Sequence, residues 1–238
     1  MTTYTENKYV TAYTKDKKIQ HFRLNADNFI GSGDFGKTFL TSDNKCLKVF
    51  DRYPSRKEDK AIFNEDIFNI IKKIKPQNFY TLYELYFNRT LTKIVAYLSK
   101  YYPQEDINIL TMPVDYTFDN LYALYKSFSL LAEHNICVCD TSDSNVILSS
   151  NTITVIDTDM YYISKSEEQN VLENNMYNLG DLFTWLYVNS LTEIDAKKRV
   201  RMVAKIRDLF MPVGTLGMEP VIKKLIKYKY PIDYLQKK

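Results

Sequence analysis

The amino-acid sequence predicts a mixed α+β fold. Residues 27–50 contain three short β-prone segments separated by turn residues, and apolar residues further along the chain recur at the spacing of amphipathic helices. The 238 residues are 45% hydrophobic, which is enough to bury a core as one domain or as two small lobes. We therefore expect a globular protein.

The first half of the chain is predicted to form strands followed by a long helix. After a polar N-terminal extension, one strand runs into a glycine cluster, the second is KTFL and the third is CLKVF, with a turn at Ser42-Asp43-Asn44 between the last two. Ser55 and Glu58 have the spacing of a capping box, and apolar residues follow at helical spacing up to Pro76. This pattern predicts a helix of about five turns.

The second half alternates between helical and β-prone segments. INILTMPV is expected to form a buried strand, and a helix is expected from Thr117, with Asn135 as a left-handed residue at its end. The runs ICVCD, NVILSS and TITVIDTD are predicted to be short strands, and MYNLGDLFTWLYVNSL a helix. Two further helices are expected near 192–210 and 218–228.

Composition and charge exclude several classes of protein. No apolar run approaches the roughly eighteen residues that a membrane span needs, and no leader-like segment follows Met1, so we expect a cytoplasmic protein. The three cysteines, Cys46, Cys137 and Cys139, are too few for a disulfide framework and form no zinc ligand set with the two histidines. A net charge of +3 does not indicate nucleic acid as a partner, and the basic C-terminal stretch is interpreted as a solvated helix face.

Half of the six glycines lie in the segment GSGDFG, at Gly31, Gly33 and Gly36. A GxGxxG segment that binds a dinucleotide is followed directly by a helix, whereas the strand-like KTFL and CLKVF follow this one. The other known use is a strand-turn-strand flap whose glycines let backbone amides approach the phosphates of ATP. The sequence therefore favours a flap of this kind.

Residues suited to phosphate chemistry follow the glycines in order. Lys48 lies on the strand CLKVF, and Glu65 lies on the next predicted helix. Asp140 and Asn145 are five residues apart in DTSDSN, and Asp157 ends the strand TVID. Each residue alone is common on a protein surface, but together their order and their predicted secondary structure indicate one chemistry.

From Gly31 to about Leu186 the chain resembles the protein kinase family. GSGDFG resembles the glycine-rich loop, CLK the strand with the phosphate-binding lysine, DTSDSN the catalytic loop and DTD the DFG motif, while YNLGDLFTWL is similar to the helix that anchors the larger lobe. The resemblance implies a single two-lobed domain over residues 1–238. Its small β-rich N-lobe would span about 24–115 and its reduced helical C-lobe about 116–238.

The resemblance also implies ATP and Mg²⁺ as cofactors and a role for each matched residue. Lys48, oriented by Glu65, would bind the α- and β-phosphates. Asn145 and Asp157 would bind Mg²⁺ through oxygen atoms, and Asp140 would orient the acceptor hydroxyl and take its proton. The phosphates would be covered by the backbone of Gly31, Ser32, Gly33, Phe35 and Gly36, and the adenine would be sandwiched by the side chains of Thr38, Cys46 and Ile147.

Several positions depart from the family pattern. Val138 and Cys139 replace the His and Arg that precede the catalytic aspartate, so we expect activity that does not depend on phosphorylation of an activation loop. Ser142 stands where many serine/threonine kinases have a lysine, for which Lys37 or another cation is a candidate substitute.

Thr158 and Asp159 replace the Phe and Gly of DFG. Asn175 stands where the anchoring helix normally has an aspartate, only eighteen residues after Asp157, which leaves little room for a peptide-binding surface.

Three functions stay open at this point. The first is an active, atypical protein serine/threonine kinase with an unidentified protein substrate. The second is a kinase-fold enzyme that acts on a small molecule or a lipid, like aminoglycoside or choline phosphotransferases. The third is a pseudokinase that acts by binding partners. The intact glycine loop favours the first over the second, the complete set of polar positions counts against the third, and the short segment after Asp157 keeps the second open.

Overall fold

The protein has a mixed α+β structure with an antiparallel sheet and several helices, as the sequence predicts. The computed structural model describes residues 5–51, 64–105, 107, 109, 112–165, 170–189, 204–210 and 218–227. The described residues form two compact units. The first unit lies within Met1–Lys75 and Tyr80–Tyr102, and the second within Pro76–Phe79 and Pro103–Lys238. The proposed lobe boundary near residue 115 stays a prediction.

The first unit is built on a seven-stranded antiparallel sheet in the order β2-β1-β6-β7-β5-β4-β3. Its strands are β1 (Lys8–Tyr13), β2 (Ile19–Leu24), β3 (Phe29–Ser32), β4 (Gly36–Leu40), β5 (Lys45–Phe50), β6 (Leu82–Phe87) and β7 (Ile94–Lys100). The three strands predicted between residues 27 and 50 are confirmed as β3, β4 and β5. The polar N-terminal extension was a wrong prediction, because residues 8–24 form the β1–β2 hairpin.

One face of this sheet carries the apolar core of the first unit. Phe39, Leu47 and Leu98 are direct neighbours across β4, β5 and β7, and each is buried. The β1–β2 hairpin adds Ala12 and Leu24 to the same cluster. These inward residues alternate with polar ones along both hairpin strands, which explains how a polar segment still joins the sheet.

The helix of the first unit is shorter than predicted. Helix α1 (Glu65–Ile74) has ten residues, and Asn64 before it has an extended backbone, so one continuous five-turn helix is wrong. The Asn64 side chain accepts a hydrogen bond from the Ile67 N–H at 2.9 Å and so caps the helix. The predicted capping box at Ser55 and Glu58 lies outside the described residues.

The second unit combines helices with short strands. Its elements are α2 (Val114–Glu133), β8 (Ile136–Cys137), β9 (Val146–Leu148), β10 (Ile153–Val155), β11 (Tyr162–Ile163), α3 (Val171–Asn189) and α4 (Met218–Lys227), and residues 204–210 are also helical. Asn135 has the predicted left-handed backbone, with φ 57°. The strand predicted over INILTMPV is wrong for the residues described there: Ile109 and Met112 are buried but belong to no strand.

Helices α2 and α3 form the core of the second unit. They contribute buried residues at helical spacing, among them Leu124 and Phe128 from α2 and Leu179 and Phe183 from α3. Phe210 packs against Phe183 with ring centroids 5.4 Å apart. Both helices contact β8, and α3 also contacts residues 143–145 of the DTSDSN segment. Within the described part of the chain, no helix has the length and hydrophobicity needed to cross a membrane.

Candidate functional site

The predicted site residues divide between the two units. The first unit contains the glycine segment, Thr38, Cys46, Lys48 and Glu65, and the second contains Asp140, Asn145, Ile147 and Asp157.

The glycine segment forms the turn between β3 and β4. The Gly33 N–H donates to the Gly36 carbonyl at 2.9 Å and closes the turn. The Asp51 N–H donates to the Phe35 carbonyl at 3.0 Å, which ties the tip of the turn to the end of β5. The turn is therefore held by backbone hydrogen bonds at both its base and its tip.

The three glycines of this turn differ in why they are glycine. A Cβ at Gly36 would lie 2.2 Å from the Val49 carbonyl oxygen on β5, so a side chain does not fit there. A Cβ at Gly31 or Gly33 would meet no atom within 4 Å, and neither residue has a left-handed φ. Neither a Cβ clash nor a left-handed φ therefore explains these two glycines. Their lack of a side chain leaves the loop backbone open to close approach by a ligand.

Lys48 lies on the face of the sheet opposite the apolar core. Its cross-strand neighbours are Thr38 on β4 and Tyr97 on β7. Cys46 shares this face because side chains two residues apart on a strand point the same way. Only 6% of Lys48 is exposed, which is unusual for a lysine. The register thus brings the predicted phosphate-binding lysine beside Thr38 and Cys46, the two adenine contacts predicted in this unit.

Glu65 begins helix α1 and is contacted by a lysine from the β1–β2 hairpin. Lys15 Nζ donates to Glu65 Oε1, and four fifths of the glutamate side chain is shielded from solvent. This position in the first turn suits a carboxylate because it faces the positive end of the helix dipole. The pairing of Glu65 with Lys48 stays a prediction.

Lys37 does not share the face of Lys48. It lies opposite Val49 in the β4–β5 ladder, whereas Thr38 lies opposite Lys48, so the two lysines point to opposite faces. Lys37 Nζ contacts both carboxylate oxygens of Asp51 at 3.0 Å. Within this unit Lys37 therefore lies away from Lys48, and its role as a substitute for a catalytic-loop lysine stays a prediction.

In the second unit, Asn145 connects Asp140 to the residue that precedes Asp157. The Asn145 side-chain NH₂ donates to the Asp140 backbone carbonyl at 2.8 Å and to its Oδ2 at 2.9 Å. The Asn145 backbone carbonyl accepts from the Ile156 N–H at 2.8 Å, immediately before Asp157. Because both Asp140 atoms are acceptors, the amide must turn its NH₂ toward them, and its Oδ1 is directed elsewhere.

Asp140 and Asp157 both have left-handed backbones, with φ 53° and 61°. The other non-glycine residues with positive φ lie in turns or at helix ends, where such values are common. These two aspartates instead follow β8 and β10. Strained backbones of this kind concentrate at functional sites.

The peptide before the Asp140 loop is fixed by helix α3. Asn175 Oδ1 accepts from the Val138 N–H at 2.8 Å, and Asn178 Nδ2 donates to the Val138 carbonyl at 2.7 Å. Asn175 is fully buried, and its Nδ2 also donates to the carbonyls of Phe128 and Ile136. An aspartate at position 175 could not donate to these two carbonyls, so this site requires an amide.

The residues that depart from the kinase pattern are largely buried. Thr158 is fully buried and Asp159 is 2% exposed, and the Asp159 N–H donates to Asp157 Oδ1 at 3.1 Å. Burial raises the pKa of the Cys139 thiol, with a smaller contribution from the neighbouring Cys137 and Asp140. Cys139 therefore stays protonated near neutral pH.

The donor set of this cluster fits a hard cation only in part. Asn145 and Asp157 offer oxygen atoms, which Mg²⁺ prefers. Within the described residues, no group of three or more His, Cys, Asp or Glu side chains could hold a metal ion by itself. A Mg²⁺ ion here would need further ligands from water and from phosphate oxygens, as is usual for this ion.

Sequence reasoning missed Asn178 and Asp51. No local pattern marks Asn178, because Glu173, Asn174 and Asn175 on the same helix are also polar and its partner Val138 lies forty positions away. No protein-family model matches the chain, and no curated protein sequence matches it significantly. The functional assignment therefore depends on the geometry of the residues themselves.

Proposed function

We propose that this chain is an ATP- and Mg²⁺-dependent phosphotransferase with a two-lobed, protein kinase-like fold, and that it transfers phosphate to serine or threonine hydroxyls of proteins. The observation that carries the proposal is the cluster of Asp140, Asn145 and Asp157, in which one asparagine is bonded to the first aspartate by its side chain and to the residue before the second by its backbone. The left-handed backbones of both aspartates support a functional origin of this arrangement.

The proposed roles in the second unit follow from the hydrogen bonds. Asp140 is exposed, and its Oδ2 is occupied by Asn145, so its Oδ1 is the atom that would accept the proton of an acceptor hydroxyl. Asn145 Oδ1 and the Asp157 carboxylate would hold Mg²⁺. The ion, when bound, would neutralise charge on the phosphate oxygens during transfer.

The proposed roles in the first unit follow from the register of the sheet. The open backbone at Gly31 and Gly33 would approach the phosphates, and the buried Lys48 would bind them as a fixed positive charge. Thr38 and Cys46, on the same face as Lys48, would contact the adenine. Ile147 on β9 would contribute from the second unit.

A small-molecule acceptor is the second candidate. It is favoured by the short connection of thirteen residues between Asp157 and the start of α3, which offers little surface to bind a peptide. The two candidates share the nucleotide site and differ only in the acceptor. A pseudokinase would share the nucleotide site but lack transfer.

Nucleotide binding is tested by thermal unfolding with millimolar ATP in the presence of Mg²⁺ or of a chelator. We expect ATP to raise the Tm only when Mg²⁺ is present, because the ion would neutralise charge on the phosphate oxygens at the site. A ligand at 100 times its Kd stabilises the native state by about 2.7 kcal/mol, which is measured as a rise in Tm. Lys48→Met should reduce this rise, whereas Lys100→Met, which removes an exposed lysine on β7, should not. No Mg²⁺-dependent rise in the wild-type protein would remove the basis of the proposal.

Transfer is tested with labelled ATP, Mg²⁺ and a cell lysate. Asp140→Asn keeps the shape of the side chain but removes the proton acceptor, so transfer should fall by about 10²- to 10⁴-fold while the ATP-induced Tm rise persists. Asp119→Asn, at an exposed position on α2, is the control. Label found only in small molecules would contradict the protein kinase assignment, and an Asp140→Asn variant with wild-type transfer would show that Asp140 is not the base.

A further inference from the structure

Val138 is a buried residue that lies just beyond the end of a strand ladder. The pairing of β8 with β11 ends at Cys137, opposite Tyr162, and Val138 is fully buried one residue later. Buried backbone N–H and carbonyl groups need hydrogen-bond partners, and the ladder no longer provides them here. Side chains of α3 take over this role, one from Asn175 and one from Asn178.

The two asparagines serve different parts of the structure. Asn175 is fully buried and hydrogen-bonds to α2, to β8 and to the Val138 N–H, so its loss should destabilise the whole unit. Asn178 is half-buried and donates to the Val138 carbonyl at 2.7 Å. That carbonyl belongs to the peptide that joins Val138 to Cys139, directly before Asp140. Asn178 therefore acts on the orientation of the chain as it enters the Asp140 loop.

We infer that Asn178 is a positioning residue for Asp140, holding the entry to the loop while Asn145 holds its exit. This inference rests on the proposed function, since it deepens the role given to Asp140. Asn145 bonds both the carbonyl and the carboxylate of Asp140 from the downstream side. Without Asn178, the Val138 peptide loses its only described partner for the carbonyl, and the left-handed backbone of Asp140 is fixed from one side only.

Steady-state kinetics test this role through the separation of kcat from KM. In Asn178→Leu, which keeps the size of the side chain but not the donor, we expect kcat to fall by about 10- to 100-fold with the KM for MgATP within about twofold of wild type. Asn178→Gln keeps the amide and should recover part of the loss. Asn174→Leu, at an exposed position one turn earlier on α3, is the matched control and should leave kcat unchanged. A kcat for Asn178→Leu equal to wild type would overturn the inference, as would equal losses in the Leu and Gln variants.

Alkylation of Cys139 gives a readout that does not depend on activity. The thiol lies between Val138 and Asp140, and burial keeps it protonated and slow to react. We expect iodoacetamide to modify Cys139 at least about threefold faster in Asn178→Leu, with Cys46 followed in the same protein by mass spectrometry as the internal reference. An unchanged Cys139 rate would overturn the inference. If the wild-type protein transfers no phosphate, the proposed function fails, and the Cys139 rates still decide whether Asn178 positions this loop.

Discussion

Among single residues, the glycines of the β3–β4 turn make the sharpest distinction between packing and ligand binding. A Cβ at Gly36 would clash with the Val49 carbonyl, so Gly36→Ala should lower the free energy of unfolding by about 1–3 kcal/mol. Gly33→Ala has open space and should change it by less than about 1 kcal/mol. Urea unfolding measures both. A Gly36→Ala variant as stable as wild type would contradict the packing argument.

For MgATP binding, measured by the ATP-induced Tm rise, Gly33→Ala is expected to be the more damaging of the same two variants. Gly33→Ala should lose much of the ATP-induced Tm rise, because its new methyl group lies where the backbone is expected to approach the phosphates. If Gly33→Ala keeps the full Tm rise, the open space around this glycine has no role in binding. The sequence alone shows three glycines in one motif and cannot separate these roles, because the separation depends on how close β5 comes to each.

Tyr86 makes the stability of the first unit sensitive to alkaline pH. Burial, helped by the carboxylates of Glu84 and Asp43, raises the pKa of Tyr86 to about 12, from an ordinary value near 10. Between these two pH values the unfolded chain loses the phenolic proton first, so the free energy of unfolding should fall by at most about 1.4 kcal/mol per pH unit. Tyr86→Phe should remove this part of the decline in urea titrations from pH 9 to 12. Tyr9→Phe, which removes a tyrosine that is 69% exposed, is the control and should leave the decline in place.

At the scale of elements, α3 holds the strand-end peptide at Val138 through a buried amide. Asn175→Asp replaces the NH₂ group by a second acceptor, which would face the carbonyls of Phe128 and Ile136. We expect a loss of about 2–4 kcal/mol in the free energy of unfolding. The reason is that a buried carboxylate oxygen would then face two carbonyl oxygens with no hydrogen between them. Asn174→Asp, exposed on the same helix, should cost far less. Chemical denaturation of both variants tests this, and equal stabilities would contradict it.

The elements also show which features a sequence can predict. Strands β3 to β5 and the helices α2 and α3 were predicted because turn residues and helical spacing are local patterns. The β1–β2 hairpin was missed because few of its residues face the core, and the start of α1 was misplaced because a plausible cap at Ser55 competed with the true cap at Asn64.

For the candidate site, the order of Lys48, Asp140, Asn145 and Asp157 was visible in the sequence, but the role of Asn178 was not. A hydrogen bond between residues forty positions apart leaves no local pattern. The same holds for the bond from Asn145 to the residue before Asp157, which makes one cluster out of two motifs. The sequence can thus predict which polar residues belong to the candidate site. The hydrogen bonds between them depend on the packing of α3 and the short strands.

For the whole molecule, the decisive question is whether activity needs a separate ordering step. The described part of the segment after Asp157 is already held by backbone hydrogen bonds. Its strand β11 pairs with β8, and the Ser164 N–H donates to the Asn135 carbonyl at 2.8 Å. Tyr161 within it is 1% exposed and packs edge-on against Phe79. An element fixed in this way has no evident need of a phosphate to order it.

We therefore predict that the proposed transferase activity is constitutive. If the chain has the proposed kinase-like fold, Cys139 stands where that family has a phosphate-binding arginine, so removing phosphate from the protein should not release any ordering contact. Protein treated with a phosphatase, with complete dephosphorylation checked by mass spectrometry, should label its substrate at the rate of mock-treated protein. A large loss of rate that returns after incubation with ATP would contradict this prediction. It would mean that a phosphorylated residue elsewhere in the chain controls the Asp140 loop, in spite of the backbone bonds that already hold the segment after Asp157.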